Sequence, residues 1–209
     1  MTLSVRCVKV EMKSSTVSEG VRVTLTCKIT CTDLTGSQTF IWYKNGQSLF
    51  YTAQKYQNHN YLQFKASSGD AGSYSCAVRG HENLPSPAVT LYAPKNTSVS
   101  VSPSGEIVEG SSVTLTCSSD ANPPVQNYTW FKKNDTGAWQ AGSGQSLNFS
   151  NFRSWNRGQY YCESQNRLGA QNASALLVTV QEQSLERVTN AASNRNSVLQ
   201  RADKASVWD

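Results

Sequence analysis

Two stretches of the sequence decide the fold, VRVTLTC at residues 21–27 and VTLTC at residues 113–117. Each follows a Glu-Gly pair, and each precedes a tryptophan and then a Tyr-x-Cys triplet. The first copy of the pattern reads Cys27, Trp42, Tyr74, Cys76, and the second reads Cys117, Trp130, Tyr160, Cys162. Because the same residue types recur in the same order, the sequence predicts two copies of one kind of domain.

The residue pattern also indicates which kind of domain this is. Within residues 21–27 the apolar residues alternate with Arg22, Thr24 and Thr26, which is the period of a half-buried β-strand. A cysteine on one strand, a central tryptophan and a tyrosine two residues before the second cysteine are typical of an immunoglobulin-type β-sandwich. The two cysteine spacings are too short for the extra strands of a variable domain. We therefore expect an all-β fold of two tandem C2-type domains.

The repeat divides the chain into domains at residues 1–93 and 94–181 and a tail at residues 182–209. Ala93-Pro94-Lys95 is too short to be a flexible tether, so we expect a bent or extended rod with limited swivel. The apolar residues of the tail are sparse and keep no regular period, which predicts a disordered or weakly helical segment.

Six cysteines with paired spacing indicate disulfides and hence an oxidising, extracellular setting. The pattern predicts inter-sheet bridges from Cys27 to Cys76 and from Cys117 to Cys162. Four aromatic residues are predicted to support these bridges. Trp42 and Trp130 should pack against them, while Tyr74 and Tyr160 should form the tyrosine corner of each domain.

Cys7 and Cys31 are predicted to form a third bridge. Directly paired residues of an antiparallel hairpin have a constant index sum, and the sum for this pair centres a turn at Glu19-Gly20. The two cysteines would then lie on neighbouring strands within disulfide reach. The alternative is that one of them bonds to a preceding domain outside this sequence.

Charge and hydropathy narrow the partners that the chain can bind. The net charge is +5, and the basic residues are scattered singly apart from Lys132-Lys133. No stripe follows a phosphate backbone, so no nucleic-acid binding is expected. Such lysines usually solvate a surface, although a basic first domain can also favour anionic partners, including sialylated glycans.

No apolar stretch is long enough to span a membrane, and the first residues lack the core of a signal peptide. We therefore expect a fragment of a longer secreted or membrane-anchored protein.

Five Asn-x-Ser/Thr sequons are candidate N-glycosylation sites. They begin at Asn96, Asn127, Asn134, Asn148 and Asn172. All lie at or beyond residue 96, and strand alternation predicts that Asn127 and Asn148 point outward. A glycosylated second domain beside a bare first domain predicts that protein contacts favour the first. Shielding by the glycans is the simpler alternative.

The sequence predicts neither an enzyme nor a metal or cofactor site. His59 and His81 are the only histidines, and both fall in predicted loops. A Ser-His-Asp site or a zinc site would need these distant residues to converge on further ligands. No glycine-rich phosphate loop leads from a strand into a helix.

Three strings are distinctive: the extra cysteine in VTLTCKITC, the string IWYKNGQ, and SPAVTLYAPKN at the junction. With them the chain resembles the C2-set domains of the siglec family, the sialic-acid-binding immunoglobulin-like lectins, and its B-cell inhibitory co-receptor branch in particular. The resemblance covers about residues 3–180. It implies a leukocyte membrane receptor acting in adhesion and in damping antigen-receptor signals. The arginine that binds sialic acid in this family belongs to a separate variable-type domain without a counterpart here, so we expect no sialic-acid binding by this fragment.

We therefore expect an extracellular segment of a cell-surface immune receptor that serves as spacer and interaction scaffold. The alternative is a soluble secreted binding protein. The partner would be a protein or glycoprotein at the cell surface, and the loop at residues 79–87 is a candidate contact through Arg79 and His81. The alternative is that this loop packs against the second domain at the junction.

Overall fold

The computed structural model describes residues 7–17, 20–31, 38–49, 56–58 and 60–181. The predicted tail and His59 lie outside the described residues. Two short 3-10 turns, Ser68–Asp70 and Ser154–Asn156, accompany strands that make up the rest of the regular structure described. The all-β prediction is confirmed.

The first domain pairs its strands into two sheets, ordered β1-β2-β6-β5 and β4-β3-β7-β8. Its strands are β1 Val8–Val17, β2 Gly20–Ile29, β3 Phe40–Lys44, β4 Gln47–Ser48, β5 Tyr56–Asn58, β6 Tyr61–Lys65, β7 Gly72–Val78 and the first part of β8 Val89–Ser102. Asn45 and Gly46 connect β3 to β4 with positive φ angles of 53° and 79°, as a tight hairpin requires. The Asn-Gly sequence therefore fixes the register of this hairpin.

The second domain repeats this plan with sheets ordered β12-β9-β8 and β11-β10-β13-β14, and a further strand, β15, also pairs with β13. Its strands are the rest of β8, β9 Val113–Asn122, β10 Asn127–Asn134, β11 Gly137–Ser143, β12 Ser146–Phe149, β13 Gly158–Asn166, β14 Gly169–Asn172 and β15 Leu176–Val178. Both domains are therefore two-layer sandwiches whose inner faces supply the core.

A disulfide and a tryptophan lie at the centre of each core. Cys27 is bonded to Cys76, and Cys117 to Cys162, with a Cα separation of 6.2 Å in both bridges. Trp42 pairs in register with Cys76, and Trp130 with Cys162, so each ring faces inward. Both tryptophans are almost completely buried.

The tyrosine of each domain is held by the turn before its strand. The Tyr74 hydroxyl donates to the backbone oxygen of Asp70 at 2.8 Å, and the Tyr160 hydroxyl donates to that of Asn156 at 2.6 Å. Burial raises the pKa of Tyr160 to about 12 and raises that of Tyr74 still further, with the nearby Asp70 carboxylate adding to the second shift. Both hydroxyls are therefore neutral donors at physiological pH.

Cys7 and Cys31 are bonded to each other, with a Cα separation of 5.1 Å. The predicted direct pairing of these two residues is nevertheless wrong. The register of β1 and β2 pairs Val8 with Ile29, so the amide of Thr30 donates to the Cys7 oxygen and Cys31 lies one residue beyond the direct partner. The bridge closes diagonally because Cys31 lies past the end of β2 and is not bound to the ladder.

Candidate functional site

The domain junction is built on a single strand that belongs to both domains. The start of β8 pairs with β7, matching Leu91 to Gly72, and its end pairs with β9, matching Ser102 to Thr114. The ladder with β9 shifts register on either side of Lys95, where the strand passes from one domain to the other. No flexible linker separates the two domains, because β8 continues across the predicted boundary at residues 93 and 94 with hydrogen bonds to β9, interrupted only by the register shifts and by Asn96, whose φ angle is 54°.

A side chain from the second domain completes the core of the first. Leu168 lies between β13 and β14, is only 5% exposed, and belongs to the buried cluster of the first domain. The adjacent Gly169 lies so close to the Ala93 methyl group that an added Cβ would come within 3.1 Å of it. Burying a leucine in this way stabilises the junction by about 1.5–3 kcal/mol.

A buried asparagine beside Leu168 connects the two domains through its amide. The Asn166 Nδ2 donates to the backbone oxygens of Tyr92 at 3.1 Å and Pro123 at 2.9 Å. Its Oδ1 accepts from the amides of Leu168 and Gly169. Asn166 is 4% exposed, so these bonds satisfy a polar group that would be costly to bury unpaired.

Two further sets of contacts surround this centre. On the exposed side, the Tyr92 hydroxyl donates to Asp120 Oδ1 at 2.8 Å, and Lys95 Nζ lies 3.4 Å from Asp120 Oδ2. Within the second domain, the Thr97 hydroxyl lies 2.6 Å from that of Ser164 and 3.0 Å from that of Ser119. The junction thus combines the apolar contact of Leu168 with hydrogen bonds from Tyr92 and Asn166, which disfavours hinge motion.

The loop at residues 79–87 lies at the end of the first domain that is remote from the junction. It follows the end of β7, whereas the start of β7 pairs with β8 next to the second domain. This placement argues against packing of the loop on the second domain. Arg79 is exposed and His81 is partly buried.

The backbone of this loop is held at several points. The amide of Arg79 donates to the Thr39 oxygen, and the amide of Ser86 donates to the Cys76 oxygen at 2.7 Å. Ser86 is buried, and its hydroxyl accepts from the Cys76 amide at 3.0 Å. The Glu82 carboxylate accepts from the Gly80 amide at 2.9 Å, and this bond lowers its pKa. The loop therefore presents Arg79 and His81 from a fixed backbone.

All five sequon asparagines are exposed, and they lie on β8, β10, β12 and β14. Asn148 Oδ1 accepts from the Thr114 hydroxyl at 2.9 Å, and Asn134 Oδ1 accepts from Thr136 at 3.0 Å. The amide oxygens of these two residues are thereby oriented by the protein. The loop at residues 79–87, which we call the free-end loop because it lies at the end of the first domain remote from the junction, carries no sequon.

Five basic side chains share the outer face of the β1-β2-β6 sheet in the first domain, which we call the basic face. They are Lys9, Lys13, Arg22, Lys28 and Lys65. Their inward neighbours on the same strands form the core, so strand alternation places all five on the solvent side. The interpretation of these residues as scattered is therefore wrong for this sheet.

One carboxylate, Glu11, lies among these cations. It forms ion pairs with Lys9 at 2.9 Å and with Lys28, and the bond to Lys28 followed by that to Lys9 lowers its pKa to about 2. The register places Lys9 opposite Lys28 and Arg22 opposite Lys65. Glu11 therefore pairs with both members of the Lys9–Lys28 pair. Within the described residues, no ion pair joins Arg22 or Lys65 to a carboxylate.

The comparisons with known proteins agree with this architecture. Two family models, both described as immunoglobulin domain, match residues 8–92 and 103–175. Together they cover most of the chain, which therefore belongs to the immunoglobulin-domain proteins. This family is non-enzymatic, and so the chain is not an enzyme.

The chain is similar to the B-cell receptor CD22 of mouse, with 34% identity over 80% of the chain and 19% of that protein. It is also similar to dog vascular cell adhesion protein 1, with 42% identity over 43% of the chain and 12% of that protein. The chain thus spans less than a fifth of these relatives. Among solved structures it resembles the mouse nectin-like molecule 4 ectodomain, with 19% identity, 86% and 65% coverage of the two chains and a TM-score of 0.40.

No group of three metal-ligating side chains and no helix long and apolar enough to cross a membrane occurs among the described residues.

The site residues predicted from the sequence divide into two sets in the structure. The cysteines, tryptophans and tyrosines lie together in the two cores, whereas Arg79, His81 and the sequons lie on separate surfaces. The residues that sequence reasoning missed are Leu168 and Asn166 at the junction and the members of the basic face.

Proposed function

We propose that this chain is part of the ectodomain of a leukocyte cell-surface receptor of the siglec-like type, acting as a rigid spacer and interaction scaffold. The similarity to CD22 over both domains supports the receptor class. The three disulfides support an extracellular location, because such bridges persist in oxidising compartments. Its role is to hold a ligand-binding region at a fixed distance and angle from whatever follows in the receptor.

The burial of Leu168 in the core of the first domain is the observation that carries this proposal. A spacer must keep its shape, and two domains that share a strand and part of a core bend less than two domains on a flexible linker. Asn166 adds directional bonds that only one relative orientation of the domains can satisfy. The fragment therefore behaves as one rod.

Small-angle X-ray scattering of the secreted chain tests the rod. Leu168→Asp introduces a charge into the junction, and we expect a larger radius of gyration and a broader distance distribution than in the parent protein. Leu177→Asp is the matched control, because Leu177 is a leucine of the same domain that is 61% exposed. Equal scattering curves for the two variants would contradict the spacer proposal.

We also propose that the free-end loop contributes a protein or glycoprotein contact through Arg79 and His81. The loop is held on both sides by backbone bonds, so binding costs little conformational entropy. The sequons of the second domain, if glycosylated, leave the first domain as the open surface. No sialic-acid binding is proposed for either domain.

A cell-binding assay tests this contact. Arg79→Ala together with His81→Ala should weaken staining of partner-bearing cells by the tetramerised chain, whereas Arg157→Ala, an exposed arginine of the second domain, should not. Unchanged staining by the loop variant would remove the loop from the proposal. The spacer role would stand, because it is measured separately by scattering.

A further inference from the structure

We propose that the basic face of the first domain binds a sulfated polysaccharide of the heparan sulfate class. This inference rests on the extracellular location proposed above. The face presents five cations and one carboxylate over three adjacent strands, and none of the five sequons lies on it. A surface of one charge sign attracts polyanions over several ångströms.

The spacing of the cations fits a linear polyanion. Neighbouring strands lie about 4.8 Å apart and alternate residues on one strand lie about 6.6 Å apart. Arg22 and Lys65 are direct cross-strand partners, and such like-charged pairs destabilise a sheet unless an anion lies across them. A sulfate group bridging the two side chains removes that repulsion. Arginine also provides parallel donors that match the oxygens of a sulfate.

The uncharged residues of the same face suit a sugar chain. Thr24, Thr26 and Gln63 lie between the cations, and the Gln63 Nε2 donates to the Thr24 hydroxyl at 2.9 Å. Hydroxyl and amide groups of this kind can bond to the hydroxyl groups of a polysaccharide. They add polar contacts without adding negative charge.

The lack of an exposed apolar anchor on the basic face disfavours an acidic protein or an anionic membrane as the partner. A protein interface has an aromatic or aliphatic centre, and membrane binding needs an apolar side chain that enters the lipid. In the described part of the chain, the large hydrophobic side chains that are exposed are Val108, Trp139, Trp155 and Leu177, all of the second domain. The aromatic side chain of Tyr61 shares the basic face as the direct partner of Thr26, but it is only partly exposed, so the exposed groups of the face offer charge and hydrogen bonds.

The corresponding face of the second domain provides an internal comparison. Its outward residues on β8, β9 and β12 include one ion pair, between Lys95 and Asp120, and the uncharged residues Ser98, Ser100, Thr114, Thr116 and the sequon residue Asn148. The two domains share one plan, so the plan itself does not require cations on this sheet. The positive charge is a property of the first domain.

Binding of the secreted full chain to immobilised heparin tests the proposal. At a salt concentration of about 0.15 M, Arg22→Gln with Lys65→Gln should weaken binding about tenfold. Lys133→Gln with Arg167→Gln removes the same charge from exposed positions of the second domain and should leave binding unchanged. Desulfated heparin should not bind to the parent protein.

Three results would overturn the proposal. They are equal heparin affinity of the two variants, equal binding of desulfated heparin, or stronger binding of polyglutamate or of phosphatidylserine vesicles than of heparin. Thermal unfolding of both variants shows that each is folded. The scattering curve of Arg22→Gln with Lys65→Gln should match that of the parent, so failure here leaves the spacer role intact.

Discussion

Each domain has an end at which a 3-10 turn precedes the strand that carries the buried tyrosine. Different residues fill the core at this end in the two domains. Ala66 in the first domain and Phe152 in the second occupy equivalent positions. The amide of Ala66 donates to the backbone oxygen of Val21 near the start of β2, and the amide of Phe152 donates to that of Ser111 just before β9. Phe152 is completely buried and closes its own domain. Ala66 has a much smaller side chain, and Leu168 of the second domain joins the same buried cluster of the first domain.

The difference teaches that the first domain depends on the second, whereas the second is complete in itself. Elsewhere the two ends match closely. Ser67 donates its amide to Asp70, and Arg153 donates its amide to Asn156, so the same turn precedes the tyrosine in both domains. The first domain has an alanine where the second has a phenylalanine. The first domain is also the one whose core includes a side chain from its neighbour.

The largest effect is expected from Phe152→Ala. Removing a buried phenylalanine should lower the free energy of unfolding of the second domain by about 3–5 kcal/mol. Phe152 also packs edge-on against Phe149 at 5.1 Å, and this contact is lost. Denaturant unfolding followed by tryptophan fluorescence measures the change. A loss below 1 kcal/mol would show that the end is not closed by this ring.

Leu168→Ala is expected to act on the other domain. The variant should cost about 2–5 kcal/mol, and the cost should appear in the unfolding of the first domain, although the residue belongs to the second. Hydrogen exchange of β2 and β6 amides reports the first domain separately. Faster exchange confined to the second domain would contradict the shared core.

Ala66→Leu sharpens the comparison through a double-mutant cycle with Leu168→Ala. In the parent protein the extra methyl groups should overpack an occupied end, at a cost of about 1–3 kcal/mol. In the Leu168→Ala background the same change should cost less, because the space has been vacated. Additive costs would mean that the two side chains do not share one space.

A smaller effect, common to both domains, is expected at alkaline pH. The folded state raises the pKa of Tyr160 from its ordinary value of 10 to about 12 and raises that of Tyr74 as well, so the folded protein holds these protons more tightly than the unfolded chain. This stabilisation is fully present below pH 10 and is lost as the pH rises through about 12. Thermal unfolding at pH 8 and at pH 11 measures the loss.

Tyr160→Phe is the control for this prediction. The variant should be less stable at pH 8, because the bond to Asn156 is gone, but its stability should fall less between pH 8 and pH 11. An unchanged pH dependence in the variant would assign the alkaline loss to other groups.

The cores were predictable because their signals are local. Cys27, Trp42 and Tyr74 are recognised by spacing and by a two-residue period, and each needs only its own strand. The junction was not predictable in this way. Leu168 follows a strand in what reads as an ordinary loop, and its partners in the first core lie far away in the sequence. No local pattern distinguishes it from an exposed leucine.

The basic face was missed for a related reason. Lys9, Glu11 and Lys13 alternate along one strand, and that signal was available. The cluster appears only when Arg22 and Lys65 are placed beside this strand, which requires the pairing of β2 with β6. Because the register is not encoded locally, the sequence alone predicts a direct pairing of Cys7 with Cys31, whereas the ladder bond of Cys7 is made with Thr30.

The shared strand β8 also has a mechanical consequence. A pull on the outer end of the first domain loads the β7-β8 ladder along the strand axis, and the same backbone carries that load into the β8-β9 ladder. The irregular backbone that such a pull can straighten is confined to the register shifts around Lys95 and to Asn96. Force applied across the junction therefore acts along one strand that is hydrogen-bonded within both sandwiches.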